Sequence, residues 1–382
     1  MKISGMNRES QINVRTHVLR DCTITPEQWA RLARWGFLTD WQAEPDLYHD
    51  WIGPTCLLYH PGNGLIYVGL TALDGDVLYA FDPKTGEWES CGYPADQDIY
   101  ATKLHQSLVL DDDGIIWGAM ATLYDPNHWP DAPGGQIFNF NPKTREYQFF
   151  GVVREHDYIQ GIVIDKKRGL IYGDTWPGRL TFRFDMATNE YRILTCHGKP
   201  LTEKMVIDDD GGLWHAWDFY QWSRRYALFR YDPDRDEIDF LKDELPNLGS
   251  APEDQQVDSA VNGRDGYLYF GTRAGALVRV EPREREIEYL GKPLVQSRCK
   301  GLLLGPGDLL YGAGGSGYDT HVFSYDRGLR SFTYLGPLED ATATPCWLVH
   351  DMVRSDDGRL WIAECDVPAR AGYLWQVELD AF

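Results

Sequence analysis

Six polar residues at matching places in the sequence together offer acid–base chemistry. Each stands eleven or twelve residues before an aromatic residue that recurs along the chain; they are His105, Gln160, Glu203, Asp258, Lys300 and His350. Imidazole titrates near neutral pH and can remove a proton next to a carboxylate. A cation or a metal ion then stabilises the developing enolate charge. We expect these residues to line one pocket. The alternative is that polar strand ends merely surround a water-filled channel.

Three of the six residues are candidate ligands for a metal ion. Carboxylate and imidazole groups bind divalent metals such as Ca, Mn or Zn. Glu203, Asp258 and His350 are therefore the expected metal site.

Aromatic and cationic residues in the long connecting segments suit a sugar ligand. Trp and Tyr rings stack on the C–H faces of sugars, and Arg gives paired hydrogen bonds to carboxylates. Together with Gln160 and Lys300, the expected substrate-binding residues are Trp176, Trp217, Trp222, Arg224, Arg273 and Tyr318. The alternative for Trp217 and Trp222 is that they only pack the loops together. Histidines such as His197 and His215 we expect at the surface or in turns.

The recurring aromatic residue reveals an internal repeat. It follows a turn rich in Asp and Gly, at intervals of 42 to 55 residues, and its seven copies are Tyr67, Trp117, Tyr172, Trp214, Tyr269, Tyr311 and Trp361. A second turn, of the Asp-Pro-Lys-Thr-Gly type, lies between successive copies; Asp caps such a turn and Pro presets its φ angle. Each repeat therefore predicts four short strands joined by tight hairpins. Seven repeats predict an all-β, seven-bladed β-propeller.

The N-terminal segment is expected to complete the ring. The seventh repeat stops before its outermost strand, while residues 11–19 alternate polar and apolar side chains as a half-buried strand does. We expect that segment to close the ring and remove its exposed edges. One short helix should begin at Pro26, because Thr25 and Gln28 form a capping box. It either braces one rim of the ring or is a plain connector. The predicted organisation is one domain over 1–382, with an extension over 1–50 and blades over 51–382.

The hairpin pattern also predicts where a ligand would bind. With strands A to D counted outward from the axis, the short A–B and C–D turns share one face. The longer B–C and D–A connections share the other face. Long loops on a rigid scaffold are where binding residues concentrate. We therefore expect the site at the axial mouth of that second face.

Composition narrows the classes of partner. The 382 residues carry 58 acidic and 37 basic side chains, a formal net charge of −21, which disfavours nucleic acid and anionic membranes. The seven cysteines show no CxxC spacing and fit reduced thiols in a cytoplasmic protein. No P-loop or dinucleotide-binding motif is present, so no nucleotide cofactor is expected. The expected partner is a small acidic carbohydrate, and the oligomeric state stays open.

Two segments resemble those of seven-bladed lyases. TKLHQSLVLDDDGIIWGA (102–119) and YIQGIVIDKKRGLIYGDTWPGR (158–179) are similar to parts of ulvan, oligogalacturonate and rhamnosyl-glucuronate lyases and, more distantly, of virginiamycin B lyase. The resemblance implies β-elimination at a uronate, with His105 as base or acid, Tyr158 as its partner and Arg179 as the carboxylate clamp. The related enzymes often have a second histidine after strand B, whose nearest counterpart here is His128.

The sequence leaves two other functions open. One is a hydrolase or lactonase that uses a metal bound by carboxylates in the channel. The other is a non-catalytic propeller that binds a sugar or a protein. The uronate lyase is the favoured hypothesis, because a histidine base and an arginine for the enolate charge both occur in the two segments.

Overall fold

Seven four-stranded antiparallel sheets make up the part of the chain that the structure describes. The structure is a computed structural model, and it describes residues 12–32, 38–94, 98–123, 129–198, 204–218, 226–248 and 255–379. One sheet corresponds to each predicted repeat, so the all-β, seven-bladed propeller is confirmed.

The first four blades follow one another along the chain, each with its strands in order from the axis outward. Blade 1 contains β2 (Ile52–His60), β3 (Leu65–Ala72), β4 (Leu78–Phe81) and β5 (Trp88–Ser90). Blade 2 contains β6 (Leu108–Leu110), β7 (Ile116–Ala119), β8 (Gln136–Asn141) and β9 (Glu146–Val152). Blade 3 contains β10 (Tyr158–Asp165), β11 (Leu170–Trp176), β12 (Leu180–Asp185) and β13 (Glu190–Cys196). Blade 4 contains β14 (Val206–Ile207), β15 (Leu213–Asp218), β16 (Tyr226–Asp232) and β17 (Glu237–Glu244).

The last three blades repeat the arrangement, and the seventh takes its outermost strand from the start of the chain. Blade 5 contains β18 (Val257–Asn262), β19 (Leu268–Thr272), β20 (Leu277–Glu281) and β21 (Glu286–Gly291). Blade 6 contains β22 (Gly301–Leu304), β23 (Leu309–Ser316), β24 (Asp319–Asp326) and β25 (Ser331–Pro337). Blade 7 contains β26 (Val349–Arg354), β27 (Leu360–Glu364), β28 (Leu374–Leu379) and β1 (Ile12–His17).

The closing strand is the predicted one. β1 pairs antiparallel with β28, from Ile12 opposite Leu379 to His17 opposite Leu374. Ile12 and Val14 point into the core of blade 7, and the alternate residues face outward. The polar–apolar alternation of this segment therefore sets both its register and its buried face.

The recurring aromatic residues lie in the second strand of each blade and are buried between neighbouring sheets. Five of them are tied to their own hairpin. The Trp117 and Trp214 indoles donate to Asp111 and Asp208, at 2.9 and 2.8 Å, and Trp361 donates to Ser355 at 2.9 Å. The hydroxyl of Tyr269 donates to Asp265, and Tyr67 accepts from Asn63, each at 2.9 Å. The turn and the aromatic residue recur together because a side chain of the turn hydrogen-bonds to the aromatic side chain.

Glycines next to these residues admit a ring from the third strand. A Cβ atom on Gly118 would collide with the ring of Phe138, and one on Gly173 would collide with the ring of Phe182. The aromatic side chains of the third strand therefore lie flat on the glycine backbone of the second. This explains the glycine that directly follows the aromatic in blades 2 and 3, and Gly312 of blade 6 admits the ring of Phe323 in the same way.

The N-terminal extension contains three short helices among its described residues, whereas the sequence analysis predicted one. They are α1 (Pro26–Leu32), α2 (Leu38–Gln42) and α3 (Pro45–Tyr48). The capping box of α1 is present, because Gln28 N donates to Thr25 Oγ1 at 3.2 Å and Thr25 N donates to Gln28 Oε1 at 2.9 Å. Helices of five and four residues are too short to show an apolar periodicity, which is why the sequence did not reveal α2 and α3.

The extension braces the rim of one face. Ile24 N donates to Ala369 O at 2.9 Å, and Ala371 N donates to Cys22 O at 3.1 Å, both in the B–C connection of blade 7. Gln42 reaches Ile99 O, in the connection from blade 1 to blade 2, at 2.9 Å. The bracing role is therefore the one that the structure supports.

The two kinds of short turn share the opposite face. Arg168, in the A–B turn of blade 3, pairs at 2.6 Å with Asp234, in the C–D turn of blade 4. Lys166 pairs at 3.0 Å with Asp112, in the A–B turn of blade 2. Within the described ranges no helix has the length and hydropathy needed to cross a membrane.

Candidate functional site

The innermost strands become irregular where they reach the mouth. In β2, β10, β18 and β26 the pairing register shifts by one residue at Thr55, Gln160, Asp258 and His350. Such β-bulges break the strict alternation of side chains and re-aim them. Gln160, Asp258 and His350 are among the six polar residues found in the sequence, and Thr55 stands as far before its recurring aromatic as Gln160 does. The bulges therefore place these residues around the axis.

Two histidines from different blades lie against each other at this mouth. The rings of His105 and His350 are 4.7 Å apart between centroids, with an interplanar angle of 80°. His105 precedes the inner strand of blade 2, and His350 lies in that of blade 7. Each is only 4% exposed. The sequence analysis had placed one as the base and the other as a metal ligand, and the structure makes them a contacting pair.

Backbone carbonyls fix which nitrogen of each ring is protonated. Nδ1 of His105 lies 3.0 Å from Gln160 O, and Nδ1 of His350 lies 2.6 Å from Thr55 O. A carbonyl oxygen accepts only from a protonated nitrogen, so in the neutral rings the proton is on Nδ1. The lone pair is then on Nε2 in both histidines. This tautomer suits a general base.

Gln106 contacts His350, and its side-chain oxygen is available as a hydrogen-bond acceptor. Its Nε2 donates to His350 O at 2.5 Å and lies 3.0 Å from Nδ1 of the same residue. The side chain is buried, and its Oε1 finds no hydrogen-bond partner within the described part of the chain. A buried amide oxygen without a donor is costly, so this atom is a natural acceptor for a bound hydroxyl group.

An ion pair spans the axis next to the histidines. Lys204 Nζ of blade 4 lies 3.1 Å from Asp351 Oδ1 of blade 7, and Leu57 N of blade 1 donates to Asp351 Oδ2 at 2.9 Å. The sequence analysis missed both charged residues. They stand ten residues before the recurring aromatic, one position beyond the two columns that were compared. The signal was two ionisable residues in a column otherwise made of Leu57, Ser107, Ile162, Ser259 and Gly301.

Blade 3 brings three predicted residues to the same rim. Tyr158 is paired with Trp176 across β10 and β11, and the guanidinium carbon of Arg179 lies 4.3 Å from the centre of the Trp176 ring. Tyr158 is fully buried, and burial raises its pKa, so that the phenol stays protonated at neutral pH. Arg179 is partly buried, and burial lowers its pKa. Trp176 and Arg179 thus contact each other at this rim, whereas the Tyr158 ring belongs to the hydrophobic core and lies 5.8 Å from the ring of Trp129.

The proposed metal ligands are not seen together. Arg298 holds Asp258 through two hydrogen bonds, from Nε to Oδ2 at 2.7 Å and from Nη2 to Oδ1 at 3.1 Å. Glu203 lies outside the described residues, and among the described ones no three His, Cys, Asp or Glu side chains group as a metal site. An aspartate engaged by arginine is a poor metal ligand. The metal stays a prediction.

The remaining predicted binding residues are spread over three blades. Arg273 donates to Gln256 Oε1 at 3.1 Å, and Lys300 is buried at the start of blade 6. Trp217 packs on Phe240 of the outermost strand at 4.5 Å, which directs its ring away from the axis. Tyr318 is 39% exposed and contacts Trp347, a residue not considered before, at 4.6 Å. Trp222, Arg224 and His128 lie outside the described residues.

His197 and His215 correct an expectation. They are buried between blades 3 and 4, at 2% and 0% exposure, with ring centroids 4.7 Å apart. Burial, His215 and Arg179 lower the pKa of His197 well below its usual value. The sequence alone predicts surface or turn positions for both. His197 N donates to Arg179 O at 3.0 Å and Asp218 N donates to His197 O at 3.1 Å, and such contacts between neighbouring blades cannot be inferred from periodicity.

A cleft of about 240 Å³ lies on the opposite face, between blades 4 and 5. Its walls include Asp208, Asp209, Asp210, Asn262, Glu281 and Arg283. Asp208 is engaged by Trp214 and by Arg230, the latter at 2.7 Å. Because its buried carboxylate is committed to holding a hairpin, we assign the chemistry to the mouth rather than to this cleft.

Comparisons with known proteins agree on the fold. No protein-family model and no curated protein sequence matches the chain, so the resemblance to polysaccharide lyases has no support at the level of a sequence family. Among solved structures the chain is similar to a streptogramin B lyase, with a TM-score of 0.63 and 14% identity over 96% of this chain and 98% of that one.

Two further similar structures are extracellular domains of proteins from B. thetaiotaomicron described as hybrid two component systems. The first has a TM-score of 0.58 and 12% identity over 87% of this chain and 41% of that one. The second has a TM-score of 0.55 and 12% identity over 85% and 38%. At these sequence identities the similarity shows the propeller fold alone. That fold occurs both in a protein named as a lyase and in domains named as extracellular parts of two component systems.

Proposed function

We propose that the protein is a carbon–oxygen lyase that cleaves a uronate-containing oligosaccharide by β-elimination at the axial mouth. The observation that carries the proposal is the His105 ring, whose Nδ1 donates to Gln160 O and whose Nε2 therefore carries the lone pair beside His350. The likeness to a streptogramin B lyase supports the reaction class. The uronate follows from the need for an acidic proton next to a carboxylate.

The reaction needs a base, a cation and an acid. His105 Nε2 takes the proton from the carbon next to the carboxylate, and the electron pair forms the new carbon–carbon double bond as the carbon–oxygen bond breaks. Arg179 offsets the enolate charge on the carboxylate. The leaving oxygen takes a proton from Tyr158, which burial keeps protonated. The proton on His105 then returns to solvent, and the Tyr158 phenolate takes a proton back, which restores both groups.

Replacing His105 tests this assignment. His105→Gln retains a polar side chain but removes the base, and we expect turnover to fall by at least about 100-fold with substrate affinity changed by less than about threefold. The matched control is His49→Gln, an exposed histidine of the extension. Turnover by His105→Gln at the wild-type rate would rule out His105 as the base.

A second candidate is a propeller that binds an acidic sugar without converting it. The burial of His105 and His350 in a hydrogen-bonded network favours this candidate, since both rings then act as fixed walls. The similar extracellular domains also fit it. It predicts saturable binding by calorimetry with unchanged sugar after prolonged incubation, and that outcome would replace the lyase.

A further inference from the structure

The ion pair between Lys204 and Asp351 crosses the central channel. Blades 4 and 7 are not neighbours, and the main contacts between described inner strands join adjacent blades. The long side chain of Lys204 must therefore reach across the axis to place its ammonium group 3.1 Å from Asp351 Oδ1. Nothing in the hairpin pattern of the propeller requires such a bridge.

The ammonium group lies beside the cluster already described. Asp351 directly follows His350, and its other oxygen accepts from Leu57 N. The neighbouring Cys56 thiol has its pKa raised to about 12 by burial and by Asp351, while Lys204 acts in the opposite direction. Both charges are thus within electrostatic reach of the inner strand of blade 1, which also holds His350 through Thr55.

Lys204 retains hydrogen-bonding capacity. An ammonium group has three N–H donors, and within the described ranges Asp351 is the one charged group paired with it. Its side chain remains partly exposed, at 27%, whereas that of Asp351 is buried. A second anion can therefore approach the ammonium group from the open side without displacing Asp351.

Gln106 supplies the second, independent indication of a ligand. Its buried Oε1 has no donor in the described part of the chain, and its Nε2 is bonded to the carbonyl that precedes Asp351. An unpaired acceptor and an ammonium group with further donors are therefore attached to two consecutive residues, His350 and Asp351. Together they match a carboxylate that has a hydroxyl group close to it.

We propose that Lys204 is the residue that recognises the carboxylate of the ligand, with Gln106 Oε1 accepting from a neighbouring hydroxyl. The ammonium group bridges the ligand carboxylate and Asp351. The substrate class in this assignment rests on the proposed function. The assignment adds Lys204 as the residue that determines selectivity for the acid over its neutral ester. Arg179, over Trp176, acts on the charge that develops at the enolate in the transition state, so selectivity for the acid in the ground-state complex is assigned to Lys204.

Binding measurements test the assignment without relying on turnover. The probes are digalacturonate and its neutral methyl ester, titrated calorimetrically into the full chain. We expect the wild type to prefer the acid by at least about tenfold, because one charged hydrogen bond is lost with the ester. Lys204→Met should reduce that preference to less than about twofold and leave ester affinity unchanged. Lys204→Arg should keep most of it.

Two controls separate selectivity from folding. The double variant Lys204→Met/Asp351→Asn leaves no uncompensated carboxylate in the channel, and it should fold and lose the preference like the single variant. Lys143→Met removes an exposed lysine from the C–D turn of blade 2, on the opposite face, and should keep the preference. Melting curves of each variant verify that the ring is intact.

Each outcome has one meaning. If folded Lys204→Met or the double variant still prefers the acid, the assignment of Lys204 is overturned while the lyase proposal stands. If the wild type discriminates through Lys204 but never converts the acid, the lyase proposal fails and the assignment stands. If the wild type binds neither probe, both the substrate class and the assignment are overturned.

Discussion

At the scale of single residues, the decisive feature is the carbonyl that each mouth histidine donates to. Gln160 O and Thr55 O hold protons on Nδ1 of His105 and His350, respectively. Because a β-bulge occurs at both carbonyl-bearing residues, the same irregularity that re-aims side chains also presents these oxygens. The fold thereby sets the protonation pattern of its candidate base.

Buried His197 predicts a loss of stability in mild acid. Its pKa is lowered in the folded state by burial, whereas the unfolded chain binds a proton near pH 6.5. As the pH falls below about 6.5, the unfolded state gains protons that the folded state does not, so the free energy of unfolding decreases. The slope is at most about 1.4 kcal/mol per pH unit for this group.

The replacement His197→Gln should reduce the dependence of the free energy of unfolding on pH. Glutamine can keep the contact with Thr181 but does not titrate. Denaturant unfolding at a series of pH values below 6.5 measures the slope, with the exposed His49→Gln as control. An unchanged slope in His197→Gln would show that this histidine is not the titrating group.

The sequence predicted the neighbourhood of the site better than its chemistry. Comparing columns before the recurring aromatic found His105, Gln160 and His350, which the structure brings to one place. It missed Lys204 and Asp351, because their column, ten residues before the aromatic, was not among those compared. A bulge at the end of a strand cancels alternation, and single-sequence periodicity gives no sign of it.

At the scale of secondary structure, hydrogen bonds within the hairpin turns stabilise the fold. Asp208 is buried and accepts from the Trp214 indole, the Arg230 guanidinium and the backbone amides of Asp210 and Gly212. We expect Asp208→Ala to lower the free energy of unfolding by about 3–5 kcal/mol, since it leaves the buried Trp214 indole and two backbone amides without their acceptor.

The neighbouring Asp209 offers a matched control. It is exposed and accepts only one side-chain hydrogen bond in the described structure, from Asn262. Asp209→Ala should change stability by less than about 0.5 kcal/mol. Chemical denaturation measures the free energy of unfolding of both variants. Equal losses of stability would contradict the role of Asp208 in holding its hairpin together.

Elements with a repeated signal were predictable, and those without one were not. Seven copies of one turn and one aromatic residue specified the sheets, and alternation specified β1. Helices α2 and α3 have five and four residues and depend on contacts with the rim, such as Trp41 against Trp51 at 4.3 Å. Their formation follows from tertiary packing, which local propensity does not encode.

At the scale of the whole molecule, ring closure by β1 should control stability. Val14 is buried against the core of blade 7, and Arg15, the next residue, is exposed. Val14→Asp places an unpaired charge in that core and should cost about 3 kcal/mol or more, whereas Arg15→Gln should cost less than about 0.5 kcal/mol. Calorimetric melting temperatures measure both, and a wild-type melting temperature for Val14→Asp would show that β1 does not hold the ring closed.

Elimination at the mouth predicts products of defined mass, and weighing them is the sharpest test of the proposed reaction. Wild-type protein is incubated with a panel of uronate-containing oligosaccharides, and the fragments are weighed by mass spectrometry while ultraviolet absorbance is followed. Elimination predicts two fragments whose masses sum to that of the substrate, one of them absorbing through its new double bond. Fragments heavier by one water would indicate hydrolysis, and intact sugars throughout would indicate binding alone; either result contradicts the account.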